Sequence, residues 1–189
     1  MRVIAGRFRS RPLSAPKGMK TRPTSDRLRE TLFNVIAARI EGARFVDLYA
    51  GSGAVGIEAI SRNAEFVWFA ERAPEAVKAI RENLAALKIS GGYVLEGRGA
   101  AVLLEELARR GESVNVIFLD PPYEAEEEYT RTLEFLGTRG LGLLVDDARV
   151  IAEHRSKVEL PENVGGLERV RVLKQGDAAL SFYAVRPED

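Results

Sequence analysis

The most specific chemistry in the sequence is offered by four consecutive residues, Asp120-Pro121-Pro122-Tyr123. They follow an apolar run at 114–119 that is typical of a buried strand, and open α/β sheets bind ligands at the carboxyl ends of their strands. The two prolines fix the backbone and remove two N–H groups, so the Asp120 carboxylate and the Pro121 carbonyl are presented as acceptors. Tyr123 offers a face on which a base can stack. The tetrad therefore predicts a catalytic site that holds an amino group.

A glycine-rich loop precedes the tetrad in the chain. Gly51, Gly53 and Gly56 match the pattern G-x-G-x-x-G between a strand-like run and a helical stretch. Such glycines allow a sharp turn and a close backbone approach to a ligand, and the helix that follows presents free N–H groups. Glu71 ends the next strand-like run 20 residues after Gly51, where an acid accepts hydrogen bonds from a ribose diol. This spacing predicts a nucleoside cofactor, and a turn without a ligand is the alternative.

The charge near the loop distinguishes between two cofactors of this geometry, a nicotinamide dinucleotide and S-adenosylmethionine. Asp47 lies four residues before Gly51. A carboxylate there would repel a pyrophosphate, whereas S-adenosylmethionine has no phosphate and carries an ammonium and a sulfonium. We therefore expect S-adenosylmethionine. The cofactor residues predicted in this part of the chain are Asp47, Tyr49, Ala50, Gly51, Ser52, Gly53, Glu71 and Arg72.

Apolar periodicity predicts the elements that position these motifs. After Thr24 and Asp26, which we expect to border the cofactor, apolar residues recur at helical spacing and predict an amphipathic helix over about 25–40. Seven strand-like runs then alternate with helical stretches, which favours a Rossmann-like, mostly parallel seven-stranded sheet with helices on both faces. The runs are 45–48, 66–70, 93–95, 114–119, 150–152, 168–174 and 179–185. Only four residues separate the last two, so they predict an antiparallel hairpin.

Length and composition limit the classes of protein. A chain of 189 residues with 46% hydrophobic and 30% charged residues is long enough for one α/β domain with a full core. No apolar run reaches the roughly 18 residues of a membrane span, and the first residues lack a signal-peptide core, so we expect a cytoplasmic protein that contacts no membrane. No cysteine and a single histidine exclude thiolate chemistry and histidine-rich metal sites. We expect no metal, and a monomer.

Positive charge is concentrated at the start of the chain. The whole chain is neutral, but residues 1–39 hold ten Lys and Arg against two acidic residues. A basic segment of this kind favours an anionic partner. We predict a basic arm or hairpin at 1–24 that extends from a body at 25–189, with a solvated tail as the alternative. The expected phosphate contacts are Arg7, Arg9, Arg11, Lys17, Lys20 and Arg22.

The N-terminal sequence narrows the interpretation further. The segments 2–6 and 21–34, the latter reading T-R-P-T-S-D-R-L-R-E-T-L-F-N, occur together with the glycine loop and the tetrad. The chain resembles, over essentially its whole length, the bacterial 16S ribosomal RNA guanine-N2 methyltransferases of the guanine 966 type, which are class I S-adenosylmethionine-dependent methyltransferases. The resemblance implies 16S rRNA or a small-subunit assembly particle as partner, and adenine contacts near Arg98 and Gly99. Ser10, where a glycine is expected, and Arg98, where an acid is common, depart from the pattern.

The expected reaction is transfer of the sulfonium methyl group to the N2 of an unstacked guanine, which Asp120 and Pro121 orient. Other functions stay open. An amino-methyltransferase on another RNA or on DNA adenine shares the tetrad, although 189 residues leave little room for a sequence-reading domain. A nicotinamide-dependent oxidoreductase would use the glycines but not Asp47, the tetrad or the arm. A noncatalytic RNA-binding assembly factor would use the arm alone.

Overall fold

The computed structural model describes residues 1–16, 24–122 and 124–187. The α-helices in these ranges are α1 (Asp26–Val35), α2 (Ala54–Ser61), α3 (Pro74–Ala86), α4 (Ala100–Arg110) and α5 (Glu126–Gly137). The strands are β1 (Arg44–Leu48), β2 (Phe66–Ala70), β3 (Tyr93–Glu96), β4 (Val114–Leu119), β5 (Leu144–Arg155), β6 (Asn163–Val164), β7 (Leu167–Gln175) and β8 (Ala178–Val185).

One sheet contains all the described strands, in the order β3-β2-β1-β4-β5-β8-β7-β6. The strands β1 to β5 are parallel to one another, whereas the pairs β5–β8, β8–β7 and β7–β6 are antiparallel. The mixed α/β sheet with an antiparallel C-terminal hairpin is therefore confirmed. The predicted count of seven strands is corrected to eight in the described residues, because β6 has only two residues and so carries no hydrophobic period.

The first helix is shorter than predicted. Ser25 caps α1 by accepting a hydrogen bond from the Leu28 amide at 3.1 Å. The helix ends at Val35 rather than near residue 40, because the hydrogen bonds tighten from the i−4 to the i−3 pattern beyond Ile36. Residues 37–39 consequently form a short 3-10 turn.

Side chains alternate between the two faces of the sheet, and each face has its own core. Phe45 of β1 and Phe69 of β2 pack on the face covered by α1, α2 and α3. Val46 and Trp68, the neighbouring residues on the same strands, pack on the face covered by α4 and α5. Both faces are thus closed by helices, so ligand access is left to the edges at the strand ends.

The described part of the N-terminal arm is packed onto the body. Val3 and Leu13 are buried in the same core as α1 and α2. Arg2 and Pro12 form an antiparallel bridge, and the Val3 amide donates to the Arg11 carbonyl at 3.0 Å. The apolar side chains of this short hairpin therefore anchor it to the core beside α1 and α2. None of the helices in the described ranges is long and apolar enough to span a membrane.

Candidate functional site

A cavity of about 940 Å³ lies where the parallel strands end. The segments that line it include 49–52 after β1, 71–73 after β2, 98–101 after β3, 120–122 after β4 and 155–157 at the end of β5. Parallel strands bring their carboxyl ends to one edge of a sheet, and these loops meet there for that reason. The glycine loop and the proline tetrad, 69 residues apart, therefore share one cavity.

The glycine loop turns between β1 and α2 and exposes its backbone at Gly51. Gly51 has φ +57°, and a Cβ atom built there would meet nothing within 4 Å, so the chain faces open space on the cavity side. Gly56 has a different role, because a Cβ there would lie 2.2 Å from Phe69 Cε1. It allows α2 to pack closely on the sheet. Gly53 is the N-cap of α2 and lies near Ile80, outside the set of residues that line the cavity, and its contact with the cofactor stays a prediction.

Glu71 ties the glycine loop to the loop after β2. Its Oε2 accepts a hydrogen bond from the Gly51 amide at 2.9 Å, and its Oε1 accepts from the amides of Arg72 and Ala73, both at 2.8 Å. Each carboxylate oxygen can accept two bonds, so Oε2 keeps an acceptor site toward the cavity that Glu71 lines. The contact with a ribose diol stays a prediction, and the structure adds a second role in holding the loop.

Asp47 is a buried carboxyl group at the end of β1. Its Oδ2 accepts a hydrogen bond from the Gly56 amide at 2.8 Å. Burial raises the pKa of Asp47 to about 8, against the opposing effect of that hydrogen bond. A cation in the cavity would stabilise the ionised form, and an anion would meet repulsion. The site therefore suits a positively charged ligand.

The described part of the tetrad contributes Asp120, Pro121 and Pro122 to the cavity wall, and Tyr123 lies outside the described residues. Burial raises the pKa of Asp120 well above its ordinary value, and the nearby carboxylates of Glu153 and Asp47 raise it further. The Pro121 carbonyl lies 3.5 Å from the hydroxyl of Tyr129. Asp120 and Pro121 thus place a carboxyl group and a carbonyl at the cavity wall, and their contact with a substrate amine stays a prediction.

The other predicted cofactor residues divide into two groups. Asp26 lies outside the set of residues that line the cavity: in the first turn of α1 it pairs with Arg29 at 2.9 Å and with Arg2 at 3.8 Å, and its contact with the cofactor stays a prediction. Arg98 does line it, and its exposed side chain donates two hydrogen bonds of 2.8 and 2.7 Å to the Glu96 carboxylate. The predicted cofactor residues that line the cavity are Thr24, Asp47, Tyr49, Ala50, Gly51, Ser52, Glu71, Arg72, Arg98 and Gly99.

The predicted RNA-contacting arginines lie apart from the cavity wall. Arg7, Arg9 and Arg11 are exposed on the N-terminal hairpin. Arg7 lies over the ring of Phe8, with its guanidinium carbon 4.7 Å from the ring centroid. The other three predicted contacts, Lys17, Lys20 and Arg22, lie outside the described residues.

Several residues at or beside the cavity are not predicted by the sequence analysis. Glu153 is buried on β5 and contacts Thr24, whose hydroxyl donates to Glu153 Oε2 at 2.7 Å. Glu153 directly follows the apolar run 150–152, and this position could have indicated it, because ligands bind where parallel strands reach the carboxyl edge of the sheet. Three further cations line the cavity at its outer part, namely Arg131, Arg155 and Lys157. They are dispersed in sequence and follow no local pattern.

His154 has a structural environment. It is buried on β5, with Nε2 2.8 Å from the Ser181 hydroxyl and Nδ1 2.9 Å from the Arg155 carbonyl. Burial lowers its pKa, so the neutral ring is favoured. Within the described ranges, no three His, Asp or Glu side chains are grouped so that they could hold a metal ion.

Comparison with known proteins finds a family model and relatives that match nearly the whole chain. The family model described as Conserved hypothetical protein 95 matches residues 1–184. A candidate rRNA methyltransferase of Bacillus subtilis strain 168 is 37% identical over 186 residues, which are 98% of this chain and 100% of that protein. The ribosomal RNA small subunit methyltransferase D of Escherichia coli K12 is 36% identical over 185 residues, 97% of this chain and 89% of that protein.

A solved structure agrees with the fold. It is that of a candidate methyltransferase of Escherichia coli, with a TM-score of 0.83 and 34% identity, and the match covers 100% of this chain and 99% of that one. The arrangement of one mixed sheet with a C-terminal antiparallel part is thus shared over both full chains.

Proposed function

Because the chain belongs to the family described as Conserved hypothetical protein 95, we propose that it transfers a methyl group from S-adenosylmethionine to the exocyclic N2 of a guanine in 16S rRNA. The relatives that support this are named as rRNA methyltransferases, and one of them is named for the small ribosomal subunit. The guanine 966 type of target comes from the sequence resemblance. An enzyme acting on 16S rRNA works in the bacterial cytoplasm, so the proposal includes that location.

The observation that carries the proposal is that the glycine loop and the proline tetrad face one cavity. Gly51 presents open backbone to the cavity at the end of β1, and Asp120 presents a carboxyl group at the end of β4. β1 and β4 are hydrogen-bonded neighbours, with Leu48 paired to Leu119. Cofactor and substrate amine can therefore meet between two adjacent strand ends.

The residues present fit S-adenosylmethionine better than a dinucleotide. Asp47 and Glu71 place two carboxyl groups around the exposed backbone of Gly51, where a pyrophosphate would be repelled and a cationic amino acid group stabilised. Asp47, the Gly51 backbone and Glu71 would hold the cofactor. When bound, S-adenosylmethionine supplies an activated methyl group on a sulfonium.

The role of the tetrad is to orient the amino group. The N2 lone pair of guanine is delocalised into the ring, so the nitrogen must be turned toward the methyl group. Hydrogen-bond acceptors on Asp120 and Pro121 would hold its two hydrogens while the lone pair faces the cofactor. Catalysis of this kind consists mainly of positioning.

The proposed RNA surface consists of the N-terminal hairpin together with the outer part of the cavity. Arg7, Arg9 and Arg11 are exposed on the hairpin, and Arg131 and Lys157 line the cavity. Phosphates bind to such cations with little dependence on sequence, whereas the cavity selects the unstacked base. We extend the proposal to a monomeric enzyme with an RNA-contacting segment at 1–24 and a catalytic body at 25–189. Light scattering of the purified protein tests the monomer.

The experiment that tests the function maps methylated nucleosides in 16S rRNA by mass spectrometry, in cells with the gene, without it, and with the variant Asp120→Ala. We expect one N2-methylguanosine to disappear in the deletion strain and in the variant. Asp146→Ala, an exposed carboxylate on β5, is the matched control and should restore the modification. A complete set of methylated guanines in the deletion strain would exclude the proposed function.

A second experiment separates the substrates that the proposal leaves open. Purified enzyme with tritiated S-adenosylmethionine is given naked 16S rRNA, assembled 30S subunits from the deletion strain, and DNA. We expect label in an RNA-containing substrate and none in DNA. Titration of Asp120→Ala with S-adenosylmethionine should give an affinity close to that of the wild type, since Asp120 faces the substrate amine. Label in DNA alone would favour the DNA adenine alternative.

A further inference from the structure

Glu153 lies beside Asp120, one layer behind the cavity wall. β4 and β5 pair Leu119 with Ala152, so Asp120 and Glu153 follow at the next position on neighbouring strands. Glu153 is only 3% exposed and does not line the cavity, whereas Asp120 does. The hydroxyl oxygen of Thr24 lies 2.7 Å from Glu153 Oε2 and 3.5 Å from Asp120 Oδ2. Two carboxyl groups thus flank one hydroxyl.

The two distances show which carboxyl group accepts the Thr24 proton. A hydroxyl has a single proton, and 2.7 Å to Glu153 Oε2 is the length of a well-formed O–H···O hydrogen bond. The 3.5 Å separation from Asp120 is too long for a strong hydrogen bond. Glu153 is therefore the acceptor of the Thr24 proton. Burial raises the pKa of Asp120, and the negative charge of Glu153 raises it further.

We propose that Glu153 is a positioning residue that increases the basicity of Asp120, so that Asp120 accepts the proton that the substrate amino group must lose. This inference rests on the proposed function. The N2 lone pair forms the new N–C bond, and the electron pair of the broken C–S bond stays on sulfur. The nitrogen then carries a positive charge until one proton moves to a carboxylate oxygen of Asp120. The resulting carboxyl group afterwards releases that proton to water.

The same environment contains other groups that influence Asp120. Asp47 faces it from β1, and Tyr129 of α5 donates its hydroxyl to the Glu153 carbonyl at 2.7 Å. The charged residues on the outer cavity wall are Glu124, Glu128, Arg131, Arg155, Lys157 and Asp177. Their effects are common to the wild type and to variants of Glu153. A difference between those proteins therefore reports the charge of Glu153.

The test is Glu153→Gln, which keeps the size of the side chain and an acceptor for Thr24 but removes the charge. We follow the carboxyl ¹³C resonance of Asp120 in aspartate-labelled protein, assigned with Asp120→Asn, as a function of pH. We expect its protonation midpoint to fall by about one pH unit or more. In single-turnover methylation, the acid limb of the pH profile should move down by the same amount. The rate on the alkaline plateau should fall, because a weaker base accepts the proton less well.

Glu153→Met supplies a second way to remove the charge of Glu153. Methionine has a side chain of similar length with no ionisable group, so the midpoint of Asp120 should fall as in Glu153→Gln. Asp146→Asn, on the exposed part of β5, is the control and should leave the midpoint unchanged. An unchanged Asp120 midpoint in Glu153→Gln overturns the inference, as does an unchanged midpoint in Glu153→Met if Glu153→Gln does not fold. If the wild type methylates no guanine, the proposed function fails instead, and the resonance still measures the Glu153 charge.

Discussion

Glu58 of α2 accepts a hydrogen bond from the backbone amide of Ile4, 54 residues earlier, at 2.7 Å. The same carboxylate accepts from the Ala5 amide at 2.9 Å and pairs with Arg62 at 2.8 Å. Glu58 is fully buried, and it lies on α2, the helix that begins directly after the glycine loop. The N-terminal hairpin is therefore fixed to the same helix whose start faces the cavity.

This contact predicts a large stability effect of Glu58→Ala. The substitution leaves two partly buried backbone amides and the Arg62 guanidinium without their acceptor, and each donor left unsatisfied costs about 1 to 3 kcal/mol. We expect a lower midpoint in urea unfolding and faster proteolysis within residues 1–16. The control is Glu105→Ala, because Glu105 is exposed on α4 and its ion pair with Arg139 contributes little. Equal unfolding midpoints for the two variants would show that Glu58 does not anchor the hairpin.

Glu71→Ala should weaken binding of S-adenosylmethionine. The variant removes the acceptor predicted for the ribose diol and also the carboxylate that holds the Gly51 amide. A lost charge-assisted hydrogen bond costs about 1.5 to 3 kcal/mol, so the dissociation constant should rise roughly 10- to 150-fold in calorimetric titration. Glu75→Ala, an exposed acid in the first turn of α3, is the matched control. Wild-type affinity in Glu71→Ala would remove Glu71 from the cofactor site.

The sequence was most informative where a local motif coincides with a strand end. Gly51 and Asp120 each belong to a motif that directly follows an apolar run. Because ligands bind at the carboxyl edge of a parallel sheet, the sequence predicts that both residues lie at one site. The same rule applied to β5 would have indicated Glu153. What local patterns cannot show is the direction of a side chain in three dimensions. Asp26 follows Thr24 by two residues, but it turns to Arg29 and Arg2 instead of the cavity.

Charge alone predicts the exposed face of the N-terminal arm, but it does not predict how the arm packs on the body. Seven positive residues before the first negative one indicated an exposed arm, and Arg7, Arg9 and Arg11 are exposed. Val3 and Leu13 nevertheless join the core, because their burial partners on α1 and α2 are distant in sequence. A truncation of the arm would therefore disturb the fold, and point variants are the appropriate test.

Replacing Arg7, Arg9 and Arg11 together with Gln should weaken RNA binding and reduce its dependence on salt. Each phosphate contact contributes about −0.7 to the log–log slope on single strands, so three lost contacts make the slope shallower by about 2. The control is Arg109→Gln with Arg110→Gln on α4, where both arginines pair with Glu106. Fluorescence anisotropy across a range of salt concentrations measures the slope. An unchanged slope in the triple variant would show that the hairpin is not a phosphate-binding surface.

The backbone conformation at position 10 explains why the family pattern leads us to expect a glycine where this chain has Ser10. Its φ is +67°, in the left-handed region, at the turn of the N-terminal hairpin. A side chain in that region costs about 1 to 2 kcal/mol, and glycine removes this cost while losing about 0.4 to 1 kcal/mol to the greater freedom of the unfolded chain. We therefore expect Ser10→Gly to stabilise the protein by up to about 1 kcal/mol, which raises the midpoint of thermal unfolding by about 2 to 4 °C.

Ser14→Gly provides the comparison for Ser10→Gly within the same hairpin. Ser14 is exposed and is not among the residues with positive φ, and its amide donates to Asn83 Oδ1 at 2.8 Å. Glycine at Ser14 brings only the entropic cost, so it should lower stability by about 0.5 to 1 kcal/mol. The two substitutions are chemically identical, and opposite signs in calorimetry would attribute the difference to backbone conformation. If Ser10→Gly lowers the unfolding temperature as much as Ser14→Gly does, the turn at Ser10 is not strained.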